Sequence, residues 1–240
     1  MTLDTSLHPE APLQAVPNGR AMARAVVVLS GGLDSTVAMA EILNHLPASV
    51  ALAITFDYGQ RAALREIDAA SAIAKHYGIA HRVVSLPWLS TLVPADLNPE
   101  TSSAGLSSAT ADSVWVPNRN GVFLNIAASY AEMLDAQAVI FGANLEEAEA
   151  GFPDNSEMYR IRLNTALDLS TRNKVRVMAP VGHLTKSQIG QRAAELNIPL
   201  HLVWSCYDQG KVHCGLCPSC QLLKKALSAA NLTTCLPFAQ

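Results

Sequence analysis

The segment 25–43 constrains the fold of this chain more than any other. An apolar run at 25–29 precedes the sequence SGGLDS at 30–35, and a helix-forming run follows at 36–43. This order predicts a buried strand, a tight glycine turn and a helix. Two glycines let the backbone approach an anion, and the first amides of a helix carry the positive end of its dipole without partners of their own. The segment therefore predicts a phosphate-binding loop.

This loop lacks the lysine that grips the γ-phosphate in Walker loops. The Walker sequence has a lysine before its Ser or Thr, whereas Asp34 stands before Ser35 here. The hydroxyls of Ser30, Ser35 and Thr36 are expected to add hydrogen-bond donors. Asp34 is predicted either to bind Mg²⁺ or to cap the helix. A glycine-rich turn of another doubly wound protein is the alternative at this point.

Composition excludes several classes of protein. The 240 residues are 50% hydrophobic, enough for one sizeable core or one domain with a small appendage. The net charge of −3 gives no basic excess for binding nucleic acid directly. The sequence has no apolar run of about 18 residues, so no membrane span is predicted. The first residues do not resemble a secretory signal. We therefore expect a cytoplasmic protein that binds neither nucleic acid nor membrane.

Strands alternate with helices along most of the chain. Residues 1–23 contain three prolines and predict a disordered extension, 24–203 a nucleotide-binding domain, and 204–240 a metal-binding segment. Apolar runs predict parallel strands, and periodic segments between them predict helices. The strands are expected at 25–29, 50–56, 82–86, 138–142 and 175–180, and the helices at 36–43, 62–77, 120–134, 156–171 and 186–196. Thr185 is expected to cap the last of these helices. The irregular stretch 87–117 is long for a loop and predicts an active-site lid.

Polar residues follow three of these strands. Besides the loop at 30–35, the segment 57–61 follows the second strand and 142–147 follows the fourth predicted strand. Ligands of open α/β sheets bind outside the carboxyl ends of the strands. These three segments are therefore expected to converge on one site.

Four late cysteines have the spacing of metal ligands: they are Cys206, Cys214, Cys217 and Cys220. Four thiolates satisfy tetrahedral Zn²⁺ and leave no open position, which is typical of a structural site. An iron–sulfur cluster and a redox disulfide are the alternatives, and His213 is an alternative fourth ligand. Cys235 stands apart and is expected to be a plain thiol. Clustered cysteines of this kind favour a reducing compartment.

Several motifs together resemble one family. In order they are SGGLDS at 30–35, FDYGQR at 56–61, VPNRN at 116–120, AASYA at 127–131, LTK at 184–186, WSCY at 204–207 and the CxxCxxC segment at 214–220. SGGxDS alone is similar to the pyrophosphate loop of the ATP pyrophosphatases. The full set resembles the QueC family of 7-cyano-7-deazaguanine synthases, from about residue 25 to about residue 225.

The resemblance implies a Rossmann-like parallel α/β sheet, of the adenine nucleotide alpha hydrolase type, with helices on both faces. It implies ATP-dependent conversion of 7-carboxy-7-deazaguanine and ammonia to the nitrile, through an adenylate and an amide. It also implies one structural Zn²⁺ per chain, ATP with Mg²⁺ as co-substrate, and a homodimer. No glutaminase segment is recognisable, so free ammonia is the expected nitrogen donor.

Site residues follow from these motifs and from the chemistry. Asp34, Arg119 and Lys186 are expected to be catalytic, the two cations offsetting phosphate charge. ATP is expected at Leu29, Ser30, Gly31, Gly32, Leu33, Asp34, Ser35, Thr36, Val37, Ala38, Met39, Phe56, Asp57, Tyr58 and Gln60. The base is expected at Arg119, Asn144, Glu146, Glu147 and Asp154, because carboxylates suit the N–H groups of a guanine-like edge. Tyr58, Phe152 and Tyr159 are candidates for stacking on the base or for core packing.

The segment 148–155 departs from the family pattern. The family has an aromatic-Pro-Asp-Cys run, whereas Asn155 replaces the cysteine here and three residues, 148–150, look inserted. A ligase that joins the deazaguanine acid to another amine is therefore an alternative. A sulfur-transferring tRNA pyrophosphatase is a second one, but it needs a free active-site cysteine and usually a basic face. A binding module with a vestigial nucleotide fold is the alternative outside enzymes.

Overall fold

The computed structural model describes residues 24–46, 49–92 and 115–239. Within these ranges the strands form one parallel sheet in the order β3-β2-β1-β4-β5. The strands are β1 (Ala25–Val28), β2 (Val50–Asp57), β3 (His81–Ser85), β4 (Ala138–Ile140) and β5 (Arg176–Met178). The parallel α/β fold predicted from the sequence is confirmed.

Helices cover both faces of the sheet. They are α1 (Leu33–His45), α2 (Ala63–His76), α3 (Arg119–Met133), α4 (Leu145–Glu149), α5 (Glu157–Ser170), α6 (Lys186–Glu195) and α7 (Pro218–Ala229). Val27 lies in a core with α1, α2, α6 and α7, whereas its neighbour Val26 lies in a second core with α3 and α5. Successive side chains of a strand point to opposite faces, so both faces of β1 are buried.

Some elements differ from the sequence prediction. β4 and β5 are shorter than expected, and the helices α4 and α7 were not predicted. A 3₁₀ turn occupies Pro87–Leu92 at the start of the predicted lid. The predicted extension 1–23 and the lid residues 93–114 lie outside the described residues. No helix in the described part of the chain is long and apolar enough to span a membrane.

The order of the strands places the carboxyl ends of β1 and β4 side by side. β1 pairs with β2 on one side and with β4 on the other, so the chain changes direction in the sheet at this point. Gly142, just after β4, touches the start of α1: a Cβ there would lie 2.4 Å from the backbone nitrogen of Ser35. Gly31 has φ +80°, and a Cβ there would lie 2.8 Å from the carbonyl oxygen of Glu66. Both glycines are needed for this close packing.

The cysteine segment is continuous with the sheet domain. α7 packs against α6, and Leu223, Ala226 and Leu227 belong to the same core as Val27. A Cβ on Gly190 of α6 would collide with the backbone of Ala226, so the two helices cross in direct contact. The predicted boundary at residue 203 therefore separates two segments that share one core.

Candidate functional site

The SGGLDS loop joins β1 to α1 and places the first amides of that helix at the carboxyl end of the central strand. Gly32 is the N-cap residue, and as a glycine it has no side chain with which to cap the helix. The hydroxyl of Thr36 donates to the carbonyl oxygen of Gly32 at 2.7 Å. The hydroxyl of Ser35 donates to the same carbonyl oxygen at 3.2 Å. The expectation that Thr36 and Ser35 offer free donors is therefore wrong, because the single hydroxyl hydrogen of each is used within this turn. The hydroxyls of Ser30 and Ser35 lie 3.1 Å apart and border the loop.

The apolar residues predicted to contact ATP pack in the core on which the loop and α1 rest. The side chains of Leu29, Leu33, Val37, Ala38 and Met39 all lie in the core beneath α1. Their contact with a nucleotide stays a prediction.

Asp34 is an ion-pair partner rather than a cap. Its Oδ2 accepts hydrogen bonds from Lys186 Nζ at 2.5 Å and from Asn144 Nδ2 at 2.8 Å. The interpretation of Asp34 as a helix cap is wrong, because both bonds go to other segments of the chain. Its second oxygen, Oδ1, is buried and has no hydrogen-bond partner among the described residues. A buried carboxylate oxygen without a partner is unusual and suits a cation or ligand.

Lys186 is held at the start of α6. Thr185 caps that helix in a capping box with Gln188, as predicted for Thr185 from the sequence. Lys186 is only 8% exposed. Burial lowers the pKa of its amine, but the neighbouring carboxylates of Asp34 and Glu147 outweigh burial and raise it above its ordinary value. Lys186 therefore carries a fixed positive charge beside the loop.

Asn144 and Glu147 join the end of β4 to this pair. The side chain of Asn144 caps α4 by accepting from the Glu147 backbone amide at 2.9 Å, while its amide group donates to Asp34. Burial and the charge of Asp34 raise the pKa of Glu147, and Lys186 opposes the shift. Glu146 instead forms an ion pair with Lys225 at 2.7 Å. The predicted contact of Glu146 with the substrate stays a prediction.

Asn155 is part of a buried hydrogen-bond chain. Its Nδ2 donates to Glu147 Oε2 at 3.1 Å, and its Oδ1 accepts from Asn120 Nδ2 at 3.0 Å. The backbone amide of Asn120 in turn donates to Asp154 Oδ2 at 2.9 Å. Asn155 therefore links α4 to the start of α3, and burial raises the pKa of Asp154 within this chain.

Arg119 begins α3 and lies over Tyr58. Its NH1 donates to the Tyr58 hydroxyl at 3.3 Å, and the guanidinium carbon lies 5.9 Å from the ring centre. Burial alone would lower the pKa of Arg119, but Tyr58, Asp154 and Glu147 hold it above its ordinary value. Its Nε is buried and has no hydrogen-bond partner in the described ranges. Arg119 therefore has a free donor in the site.

The turn after β2 is built by its own side chains. Gln60 donates to the carbonyl of Phe56 at 3.0 Å and to Glu66 Oε2 at 2.8 Å, and Asp57 accepts from the backbone of this turn. No motif predicted a role for Glu66, whose pKa is raised by burial in α2. Its signal in the sequence is only an acidic residue in the first turn of a helix, which is common.

Two of the three candidate stacking residues, Tyr58 and Phe152, pack against other aromatic rings. Phe56 stacks on Phe123 with centroids 4.2 Å apart, and Tyr58 is tilted against the same ring at 5.4 Å. Phe152 lies 5.9 Å from Trp115. Tyr159 belongs to the partly buried residues around the same core as Phe56. Core packing thus accounts for Tyr58 and Tyr159, and stacking on a base stays a prediction.

The four predicted metal ligands come together. The sulfur atoms of Cys206, Cys214, Cys217 and Cys220 all lie within 4.8 Å of one another, so this set can hold a metal ion. Backbone amides at 208, 214, 216, 217 and 220 donate to these sulfurs. Contacts with the Cys206 and Cys220 thiols lower the pKa of Cys217 to about 4, which favours a thiolate.

His213 is not among the clustered ligands. It is buried, its ring stacks on Trp204 at 4.6 Å, and its Nε2 accepts from the backbone amide of Ser205 at 3.2 Å. Cys235 is exposed and apart from the cluster. His213 therefore lies beside the cluster, and the four cysteines form the ligand set without it.

Comparison with known proteins identifies the family. Residues 24–231 match the family model described as queuosine biosynthesis protein QueC. The 7-cyano-7-deazaguanine synthase of Bdellovibrio bacteriovorus is 48% identical over 220 residues, which cover 87% of this chain and 94% of that protein. The enzyme of the same name from Desulforamulus reducens is 42% identical over 218 residues, covering 86% and 94%. The one from Methanothermobacter thermautotrophicus is 42% identical over 219 residues, covering 87% and 96%. The chain therefore belongs to the QueC family.

Proposed function

We propose that this protein is an ATP-dependent ligase that converts 7-carboxy-7-deazaguanine and ammonia into 7-cyano-7-deazaguanine. The observation that carries the proposal is the buried Asp34–Lys186 pair at the mouth of the SGGLDS loop. It joins a fixed cation and an acidic group to an anion-binding helix terminus. The relatives' name supplies the identity of the product, and the resemblance to the family implies the acid.

The chemistry removes both carboxylate oxygens, and each must first become a good leaving group. A carboxylate oxygen attacks the α-phosphorus of ATP, the α–β bond breaks and pyrophosphate leaves. Ammonia then attacks the acyl carbon, and AMP and a proton are released to give the amide. The amide oxygen attacks a second ATP, again displacing pyrophosphate. Loss of AMP and the remaining N–H protons leaves the nitrile, so two ATP yield two AMP and two pyrophosphates.

The chain's own residues divide this work. The loop amides and the hydroxyl of Ser30 are placed to bind the departing pyrophosphate, where negative charge accumulates. Lys186 and Arg119 offset phosphate charge as it develops. The unpaired Oδ1 of Asp34 suits Mg²⁺, which prefers carboxylate oxygens and would supply further charge neutralisation.

The acidic and amide side chains near Lys186 can form hydrogen bonds with the deazaguanine base. Asn144 bonds to Glu147, and Asn155 and Asn120 link Glu147 to Asp154. Carboxylates accept well from the N–H and NH₂ groups of a guanine-like edge. The buried Asn155 holds Glu147 in place. This contact gives the departure from the family motif a local structural role that needs no change of substrate.

Zn²⁺ is the metal that best suits the cysteine cluster. Zn–S bonds of about 2.3 Å in a tetrahedron place the sulfurs roughly 3.8 Å apart. Cys214 and Cys220 have a sulfur–sulfur distance of 3.8 Å. A four-iron cluster binds each thiolate to a different iron and spreads the sulfurs further apart. The proposed site is therefore structural, with no open position for chemistry.

The proposal includes free ammonia as the nitrogen donor, a homodimer and a cytoplasmic location. The thiolate-rich cluster supports a reducing compartment. The negative net charge supports a small-molecule substrate rather than direct binding of nucleic acid.

Mass spectrometry of the reaction products tests the proposal. Purified protein is incubated with ATP, Mg²⁺, 7-carboxy-7-deazaguanine and ammonium, and we expect the nitrile together with AMP and pyrophosphate. AMP without nitrile would contradict the assigned amine while retaining adenylylation. Absence of AMP would contradict the enzyme assignment altogether. A matched reaction without ammonium, which should form no amide or nitrile, controls for hydrolysis.

A further inference from the structure

Ser205, which no motif assigned to the ATP site, lies against the phosphate loop. The backbone amide of the preceding Trp204 donates to the carbonyl oxygen of Gly31 at 2.9 Å. The amide of Leu33, the first residue of α1, donates to Ser205 Oγ at 3.4 Å. A Cβ on Gly32 would lie 3.6 Å from the same oxygen. The segment before the first cysteine is therefore bound directly to the loop.

The hydroxyl of Ser205 retains a free donor. A serine hydroxyl has one hydrogen to donate and two lone pairs to accept. Its oxygen accepts from Leu33, and no acceptor for its hydrogen is present among the described residues. The side chain is only partly buried, at the edge where the helix terminus is open. A free hydroxyl donor at the start of a helix, where the dipole is positive, suits an anionic oxygen.

Residues next to the four clustered cysteines hold Ser205 in this position. Its own backbone amide donates to His213 Nε2 at 3.2 Å, and the His213 ring stacks on Trp204. The next residue in the chain is the clustered Cys206, and His213 is followed directly by Cys214. Ser205 thus directly precedes one of the clustered cysteines and is hydrogen-bonded to the residue that precedes another.

We propose that Ser205 is a further phosphate-binding residue of the ATP site, whose hydroxyl donates to an oxygen of the departing pyrophosphate. The proposal rests on the proposed function, because it needs the SGGLDS loop to bind pyrophosphate. It gives the metal segment a role in nucleotide binding, since the segment carries and orients this donor.

Calorimetric titration of pyrophosphate into the metal-loaded protein tests the assignment. Ser205→Thr keeps a hydroxyl, and Ser205→Val has nearly the same shape without one. We expect Ser205→Val to bind pyrophosphate about tenfold more weakly than Ser205→Thr, the effect of losing one hydrogen bond to a charged group. Metal content and affinity for 7-carboxy-7-deazaguanine should be the same in both. Ser228→Ala, an exposed serine of α7, is the control and should match the wild type.

The outcomes separate this proposal from the proposed function. Equal pyrophosphate affinity of the Thr and Val variants would overturn the role of Ser205, while wild-type binding would leave the loop assignment standing. No pyrophosphate binding by the wild type would overturn both. Weaker binding of Ser205→Val together with weaker binding of the deazaguanine acid would indicate a general disturbance of the site and would contradict a specific phosphate contact.

Discussion

Replacement of Lys186 by methionine should strongly destabilise the ligand-free protein. Methionine keeps most of the length of the side chain but removes the charged ammonium group that donates to Asp34. The two side chains are only 10% and 12% exposed, so water cannot replace the lost partner. Asp34 would keep the bond from Asn144, while its Oδ1 already has no partner among the described residues.

The expected magnitude follows from the geometry of the pair. At 2.5 Å and an effective dielectric of 20, the attraction between the two charges is roughly 6–7 kcal/mol before desolvation. Desolvation of both ions cancels much of this, but removal of one partner leaves a buried, uncompensated charge, which costs about 3–5 kcal/mol. Lys186 also opposes the raised pKa of Glu147, so that pKa should rise further in the variant.

Urea unfolding followed by circular dichroism measures this effect. Lys225→Met is the matched control, because Lys225 forms a lysine–carboxylate pair of 2.7 Å with Glu146 but is 53% exposed. We expect that control to lose under about 1 kcal/mol. Asp34→Asn combined with Lys186→Met should lose less than the sum of the two single variants, by about 1–3 kcal/mol. Equal losses at Lys186 and Lys225, or strictly additive effects, would refute the assignment of a strong buried pair.

Two further predictions concern the metal cluster and α2. Cys217→Ser should lower both the metal content and the urea midpoint, whereas the exposed Cys235→Ser should change neither; retained metal with lost activity would contradict a structural site. Burial raises the pKa of Glu66 in the folded protein, so its contribution to stability is complete below the unfolded pKa and is lost as pH rises through the folded pKa. Relative to the wild type, Glu66→Gln should therefore gain stability with rising pH across that window, by on the order of 1 kcal/mol per pH unit; a pH-independent difference in urea unfolding would refute this.

Local patterns predicted the parts of the structure that depend on neighbouring residues. The apolar run, glycine turn and helix at 25–43 lie within one βα unit, and each element is specified by residues close in the chain. The capping role of Thr185 is equally local. The cysteine spacing also predicted a compact ligand set, because three of the four sulfurs lie within seven consecutive residues.

The sequence by itself determined the fold class, the glycine loop at the start of α1 and the set of clustered cysteines. Tertiary structure decided the partners: Asp34 bonds to Lys186, 152 positions away, and Ser205 reaches Leu33, 172 positions away. Neither contact can be derived from local patterns, because each depends on the strand order that places β4 beside β1 and on the return of the cysteine segment to the loop. The alternative interpretation of Asp34 as a helix cap was wrong because of such a distant contact. The buried cation of Lys186, on another helix, is a stronger partner for Asp34 than the amides of its own helix.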